Sequence, residues 1–228
     1  MTSILMPAAG TLSRRLFLAG MAASLAACRQ TTAEGPVPEI ATPRYADLYP
    51  PMPDERFPVP GVQKGLIPAK YVRQQVDYAT AEPVGTVVVD PGERYLYLVQ
   101  EGGKAMRYGV GVGRDGFAWN GVATIQMKRE WPRWTPPAEM ILRQPELEQY
   151  RHGMEPSLEN PLGARALYLF QGGKDTLYRI HGSNEPRSIG TNVSSGCVRL
   201  LNQDIIDLYA RVPLRTRVVV LPAAGPTA

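Results

Sequence analysis

The sequence predicts a mostly β domain carrying one short helix. Seven runs rich in β-branched and aromatic residues lie between Gly85 and Pro222, glycine and proline pairs separate the early ones, and one stretch, NQDIIDLYARV, places Ile205, Ile206 and Tyr209 at helical spacing. A chain that is 44% hydrophobic and 20% charged has the make-up of a soluble globular domain with a real core. No internal repeat or heptad is visible, so one domain is expected after the N-terminal segments.

Residues 1–27 hold no acidic residue, the basic pair Arg14-Arg15 and the apolar run LFLAGMAASLAA, which is too short to span a bilayer. That is the layout of a signal peptide. SRRLFLAG resembles a twin-arginine export signal. LAAC, Leu25–Cys28, resembles the lipobox of bacterial lipoproteins, in which the cysteine is acylated and becomes the new N-terminus. The expectation is an exported, periplasmic chain held to a membrane through lipidated Cys28. The chain has 25 basic and 21 acidic residues, and 23 basic ones once Arg14 and Arg15 leave with the leader. So weak a positive balance excludes the dense cationic footprint of a nucleic-acid binder.

Residues 28–83 read as a tether. Nine of the 22 prolines fall between Pro36 and Pro68, which removes backbone donors and fixes φ, so an extended segment is expected. Tyr45, Leu48, Tyr49 and Phe57 offer a way for part of it to lie along the domain. Residues 84–221 form the domain, with 222–228 as a tail. GTVVVD, a turn at Pro91-Gly92, RYLYLVQ, a turn at Gly102-Gly103 and KAMRYGVGVG make a strand meander. GVATIQMKRE, ARALYLFQ, TLYRIHG and TRVVVLP add four strands, and in NQDIIDLYARV Asn202 is expected to cap a helix that Pro213 ends.

The chemistry gathers in HGSNEPRSIGTNVSSGCVRL, where His181, one of two histidines, precedes Cys197, one of two cysteines. His181 ends a strand, and the loop after it is rich in turn formers that return the chain toward it. A neighbouring imidazole accepts the thiol proton and makes a nucleophile of a group that is otherwise only about 3% thiolate at neutral pH. Gly196 lets the backbone approach closely, so amides around Ser195 to Cys197 can face a developing oxyanion. Arg199 shares a face with Cys197 if VRL is extended. A buried inert thiol is the plain alternative. One His with one Cys lacks the ligands of a metal site, since no C-x-x-C or H-x-x-x-H spacing exists, and no metal or other cofactor is expected. Papain-like hydrolases run Cys before His, the reverse of the order here.

IHG followed by SSGCVRL resembles the signature of the L,D-transpeptidase family with the YkuD-type catalytic domain, an S-H-G-C-hydrophobic-R motif after a histidine-glycine pair. VVVDPGERYLYLVQEGGKAMRYGVGVG, NPLGARALYLF and EWPRWTPP extend the likeness over about Val84–Leu221. The resemblance implies a β-sandwich with one short helix after the cysteine. It makes Cys197 the nucleophile, His181 the base, and Ser194, Ser195, Gly196 and Arg199 the supporting and oxyanion loop. The reaction it implies is acyl transfer on peptidoglycan stem peptides, with carbapenems as acylating inhibitors. Ser195 stands where many members carry a second histidine. A non-catalytic murein-binding lipoprotein is the competing reading. Trp131 and Trp134 are candidates for a substrate groove, whereas Tyr168 and Tyr178 read as ordinary strand residues, His152 as a solvated loop residue and Asn160 as a turn former.

Overall fold

The computed structural model describes residues 45–113, 119–194 and 196–222, the side chains of Val193 and Ser194 excepted. The expected leader, Cys28, Ser195 and the tail beyond Pro222 lie outside the described residues. In chain order the elements are α1 (Tyr45–Leu48), β1 (Gln74–Asp77), β2 (Val87–Asp90), β3 (Tyr95–Gln100), β4 (Lys104–Gly109), β5 (Val112–Gly113), β6 (Gly121–Glu130), α2 (Ala138–Arg143), β7 (Arg165–Gln171), β8 (Lys174–His181), β9 (Asn192–Ser194), β10 (Val198–Arg199), α3 (Asn202–Arg211) and β11 (Arg217–Val220). Short 3-10 turns stand at Ala69–Tyr71, Pro145–Tyr150 and Pro186–Ser188.

The protein is mostly β, and its strands form a nine-stranded sheet in the order β1-β4-β3-β2-β11-β6-β7-β8-β10, with β5 and β9 paired separately. Most neighbours are antiparallel, while β11 runs parallel to β2 and β10 parallel to β8. Gly111, two residues past β4, exchanges both backbone hydrogen bonds with Arg199 of β10, at 2.9 and 2.8 Å. The sheet therefore curls until its β10 edge meets the continuation of β4, and the layers of the expected sandwich belong to one sheet. A single buried cluster joins Val87 and Leu96 to Ile125, Leu167, Ile180 and Val198, and α3 closes it with Ile205 and Leu208. Each such side chain stabilises the fold by about 1.5–3 kcal/mol on burial.

All seven runs picked out in the sequence are strands, KAMRYGVGVG supplying both β4 and β5. β1 is polar and exposed, reading QQVD, so alternation could not mark it. Asn202 does not cap α3. It is the first helical residue, Leu201 stands at the cap without a side-chain bond, and the Asn202 Oδ1 accepts the Ala164 backbone N–H at 2.9 Å. A tertiary donor has outcompeted the local one.

From Tyr45 onward the segment lies along the domain, the course that Tyr45, Leu48, Tyr49 and Phe57 offered, and does not hang free as a spacer. Tyr49, Ile67 and Tyr71 are buried with Tyr95, Ile189 and Leu201 of the domain, so this part is a strap across it. The prolines fix its extended course, and the side chains between them supply the apolar contact. Two polar anchors hold it. Glu55 accepts two bonds from Arg165, at 2.9 and 2.7 Å, and a third from the Trp131 Nε1 at 2.9 Å. The Tyr49 hydroxyl donates to Asp204 at 3.3 Å and accepts the Arg73 backbone N–H at 2.8 Å.

Candidate active site

The site is built on the parallel pair β8 and β10, where Ile180 faces Val198 and His181 faces Arg199. Ile180 and Val198 point into the core, both fully buried. Because side chains alternate along a strand, His181 and Arg199 leave on the other face. The Arg179 backbone N–H bonds the Cys197 thiol, which brings the sulfur to β8 two residues before His181. His181 is fixed on both sides, since it pairs with Ala166 of β7 and its carbonyl accepts the Leu200 N–H at 2.9 Å.

His181 is buried and its Nδ1 donates to the Gly182 carbonyl oxygen at 2.6 Å. The proton on Nδ1 leaves Nε2 as the basic nitrogen of the neutral ring. Burial, reinforced by the Arg199 charge, pushes His181 down to about 3 against the pull of the Gly182 carbonyl. Gly182 follows for a steric reason. A Cβ on it, or on Gly163, would collide with the Asn202 Oδ1, so the bond from Ala164 to Asn202 ties α3 to the turn behind the imidazole.

Cys197 is half-buried. Burial pushes its thiol above the ordinary range, while the Arg179 backbone N–H and the charges of Arg179 and Arg199 pull it down. The neutral thiol and the neutral imidazole are thus the resting forms. Arg179 forms a two-pronged pair with Asp175, both bonds 2.7 Å, and lies over the Tyr168 ring at 4.3 Å. Arg199 bonds Glu185 at 2.7 Å. Both cations can therefore stay beside a thiol without facing one another uncompensated.

Gly196 has φ +123°, a backbone that strains any other residue, and a Cβ there would stand 3.1 Å from the Tyr178 ring, which would have to give way. Trp119 stacks on Tyr178 at 5.7 Å and 26°. Tyr178 therefore lies against the cysteine loop with Trp119 stacked on it, a role that the strand pattern of TLYRI does not announce. The backbone of Ser194 lies in β9 beside Gly113.

Trp131 is not a groove residue. It is 3% exposed with φ +43°, packs edge-on against Phe57 at 4.9 Å and anchors the strap through Glu55. Trp134 is half-buried and tilted against Tyr150 at 6.3 Å, its backbone bridged to Met154. Asn160 ties that loop toward the imidazole. Fully buried, it donates to the carbonyls of Pro132, Met154 and Glu155 and accepts the Leu162 N–H at 2.9 Å, the turn expected of it. The adjacent Pro161 carbonyl is among the groups acting on His181. His152 is exposed. Among the described residues no group of three or more His, Cys, Asp or Glu side chains is placed to hold a metal ion.

The profile of the L,D-transpeptidase catalytic domain, YkuD, matches residues 85–220, more than half of the chain. The chain belongs to this family. Curated L,D-transpeptidase relatives include the probable L,D-transpeptidase YbiS of Escherichia coli, 36% identical over 143 residues, which are 58% of this chain and 43% of that one. Another is the probable L,D-transpeptidase ErfK/SrfK of the same organism, 33% identical over 139 residues, 59% of this chain and 43% of that one. The chain thus spans less than half the length of these relatives. A solved structure from Brucella melitensis, described as a probable carnitine operon oxidoreductase, is 50% identical over 68% of this chain and 96% of that one, at a TM-score of 0.47. At that TM-score the likeness bears on neither fold nor function.

Proposed function

We propose that the protein is a peptidoglycan L,D-transpeptidase with Cys197 as nucleophile and His181 as base. The observation that carries this is the β8–β10 register, which sets the imidazole strand beside the thiol inside a YkuD domain. The Cys197 thiol passes its proton to the His181 Nε2 as sulfur attacks the carbonyl carbon at residue three of a tetrapeptide stem. The oxyanion is met by amides of the 196–197 backbone. The C–N bond to the terminal D-alanine then breaks, the departing amine takes the proton from His181, and a thioester remains. An acceptor amine attacks this thioester, gives its proton to His181, and the sulfur leaves and is reprotonated.

The Arg179 N–H and the two arginine charges favour the thiolate as it forms. Water as acceptor makes the same site a carboxypeptidase, and an existing 3-3 crosslink as donor makes it an endopeptidase. Incubation with a disaccharide tetrapeptide, followed by mass spectrometry, tests the reading. Loss of D-alanine or dimer formation that vanishes in Cys197→Ala is expected, and binding without turnover overturns it in favour of a murein-binding module. We further propose that the chain is exported, periplasmic and anchored through Cys28, on the strength of the leader and LAAC. Metabolic palmitate labelling should then disappear in Cys28→Ala.

A further inference from the structure

The segment that carries Cys197 is gripped at both ends by residues that precede the YkuD domain. Ile189 and Leu201 bracket it, and both are buried in the cluster formed with Tyr49, Ile67 and Tyr71 of the strap. At the first end, Gly190 has φ +85°, and a Cβ there would collide with the edge of the Tyr71 ring. The backbone of Tyr71 closes on Gly109 in the same way, so Tyr71 is wedged between the end of β4 and the start of the cysteine segment. Its hydroxyl accepts the Arg94 Nε at 3.1 Å, which fixes the ring in its plane. At the second end, Gln203 donates to the Pro60 carbonyl at 2.8 Å, and Asp204 accepts from Tyr49. Between these grips the segment bonds to Val110 through the Gly190 N–H at 2.9 Å and to Gly111 through Arg199.

We propose that the strap is a positioning element for the reaction and that Tyr71 is its principal positioning residue, setting the course of the chain from Ile189 to Leu201 and so the place of the Cys197 sulfur relative to His181. The proposal rests on the functional reading above. Pairing with β5, β8 and Gly111 and the buried Val198 and Leu200 hold the middle of the segment, while a left-handed glycine near one end and another beside its cysteine make its path sensitive to the packing the strap supplies at both ends. Residues before Gly85 are therefore part of the working site, although the family profile begins there.

The test uses the full chain bearing Cys28→Ala, so that Cys197 is its only thiol. Two quantities are read: kcat and KM on the disaccharide tetrapeptide, and the pH profile of Cys197 alkylation by iodoacetamide. Tyr71→Ala should lower kcat at least tenfold with KM changed less than threefold. It should also move the alkylation profile to lower pH, as the thiol loses the burial that raises it. Tyr71→Phe, which keeps the ring, should stay within twofold of the parent on both. Val99→Ala in β3, a buried residue outside the strap cluster, serves as the stability control and should lower Tm without moving either readout. The proposal is overturned if Tyr71→Ala leaves kcat within twofold and the profile in place, or if Val99→Ala shifts both as far. Should Tyr71→Ala fail to fold, Tyr71→Leu is read by the same criteria. A parent protein without turnover whose alkylation profile still moves in Tyr71→Ala refutes the reaction assignment and leaves the positioning role intact.

Discussion

Two buried groups give this protein opposite responses to acid, and one substitution should expose them. His181 titrates at 6.5 when unfolded and near 3 when folded, so between these values the unfolded chain binds the extra proton and stability falls as pH falls. Asp204 has the reverse sign. Burial pushes its carboxyl from 3.8 up to about 7 despite Arg73 at 3.6 Å and the Tyr49 hydroxyl, so over that range the folded state binds the extra proton and stability rises as pH falls. Each pH unit is worth about 1.4 kcal/mol per proton. From pH 6.5 down to about 5, the two contributions are each about 1.5–2 kcal/mol and nearly cancel. Glu55, Asp175 and Asp207, held low by arginines against the cost of burial, add their own losses only below that window. Urea unfolding of the wild type should therefore change little across it. Asp204→Asn, which keeps the shape and removes the titration, should lose about 1.5–2 kcal/mol over the same interval. Parallel falls in wild type and variant would mean that Asp204 is ionised in the folded state, and the reasoning would be wrong.

Three further outcomes follow from contacts described above. Glu55→Gln leaves Arg165 without its two-pronged partner at a site where both side chains are largely covered, and should cost about 2–4 kcal/mol in urea unfolding. Asn202→Ala strands the Ala164 N–H and opens space beside Gly163 and Gly182, so a loss of about 1–3 kcal/mol is expected together with a lower kcat, because the turn behind His181 loosens. Gly196→Ala meets both a left-handed backbone and the Tyr178 ring, and thioester formation with a carbapenem, followed by intact-protein mass spectrometry, should slow by at least tenfold.

The strands that bury apolar side chains were legible because burial writes itself as β-branched and aromatic runs, as VVVD and ALYLF do. The family was legible because IHG and SSGCVRL stand at the spacing of a known motif. What escaped has a common cause. Trp131, Asn202 and the strap are defined by partners far away in sequence: Glu55 lies 76 residues before Trp131, and Ala164 lies 38 before Asn202. Local rules offered Trp131 an aromatic groove and Asn202 a helix cap, and tertiary contacts overrode both, while for the strap the apolar contacts of Tyr45, Leu48, Tyr49 and Phe57 were legible and its polar anchors were not. Tyr178 read as an ordinary strand residue because nothing in TLYRI announces that its ring must lie under a glycine one strand away.

The electrostatics of the pair bear on where the protein is proposed to work. Burial acts on His181 and Cys197 in opposite senses yet to one end, lowering the base and raising the acid, so the uncharged pair is favoured at rest. A thiolate is the form that oxidants and stray electrophiles attack, and an exported enzyme meets both. Holding the sulfur protonated until a carbonyl is bound limits that exposure, at the expense of a proton transfer that must accompany attack. The cost is moderated locally, because the Arg179 N–H and the guanidinium groups of Arg179 and Arg199 favour the charged sulfur once it forms. The rate of the first step should therefore depend on how closely the segment from Ile189 to Leu201 holds sulfur to imidazole, since a pair that is neutral at rest has no strong ion-pair attraction to draw it together. That places the demand for accuracy on packing, which the strap supplies.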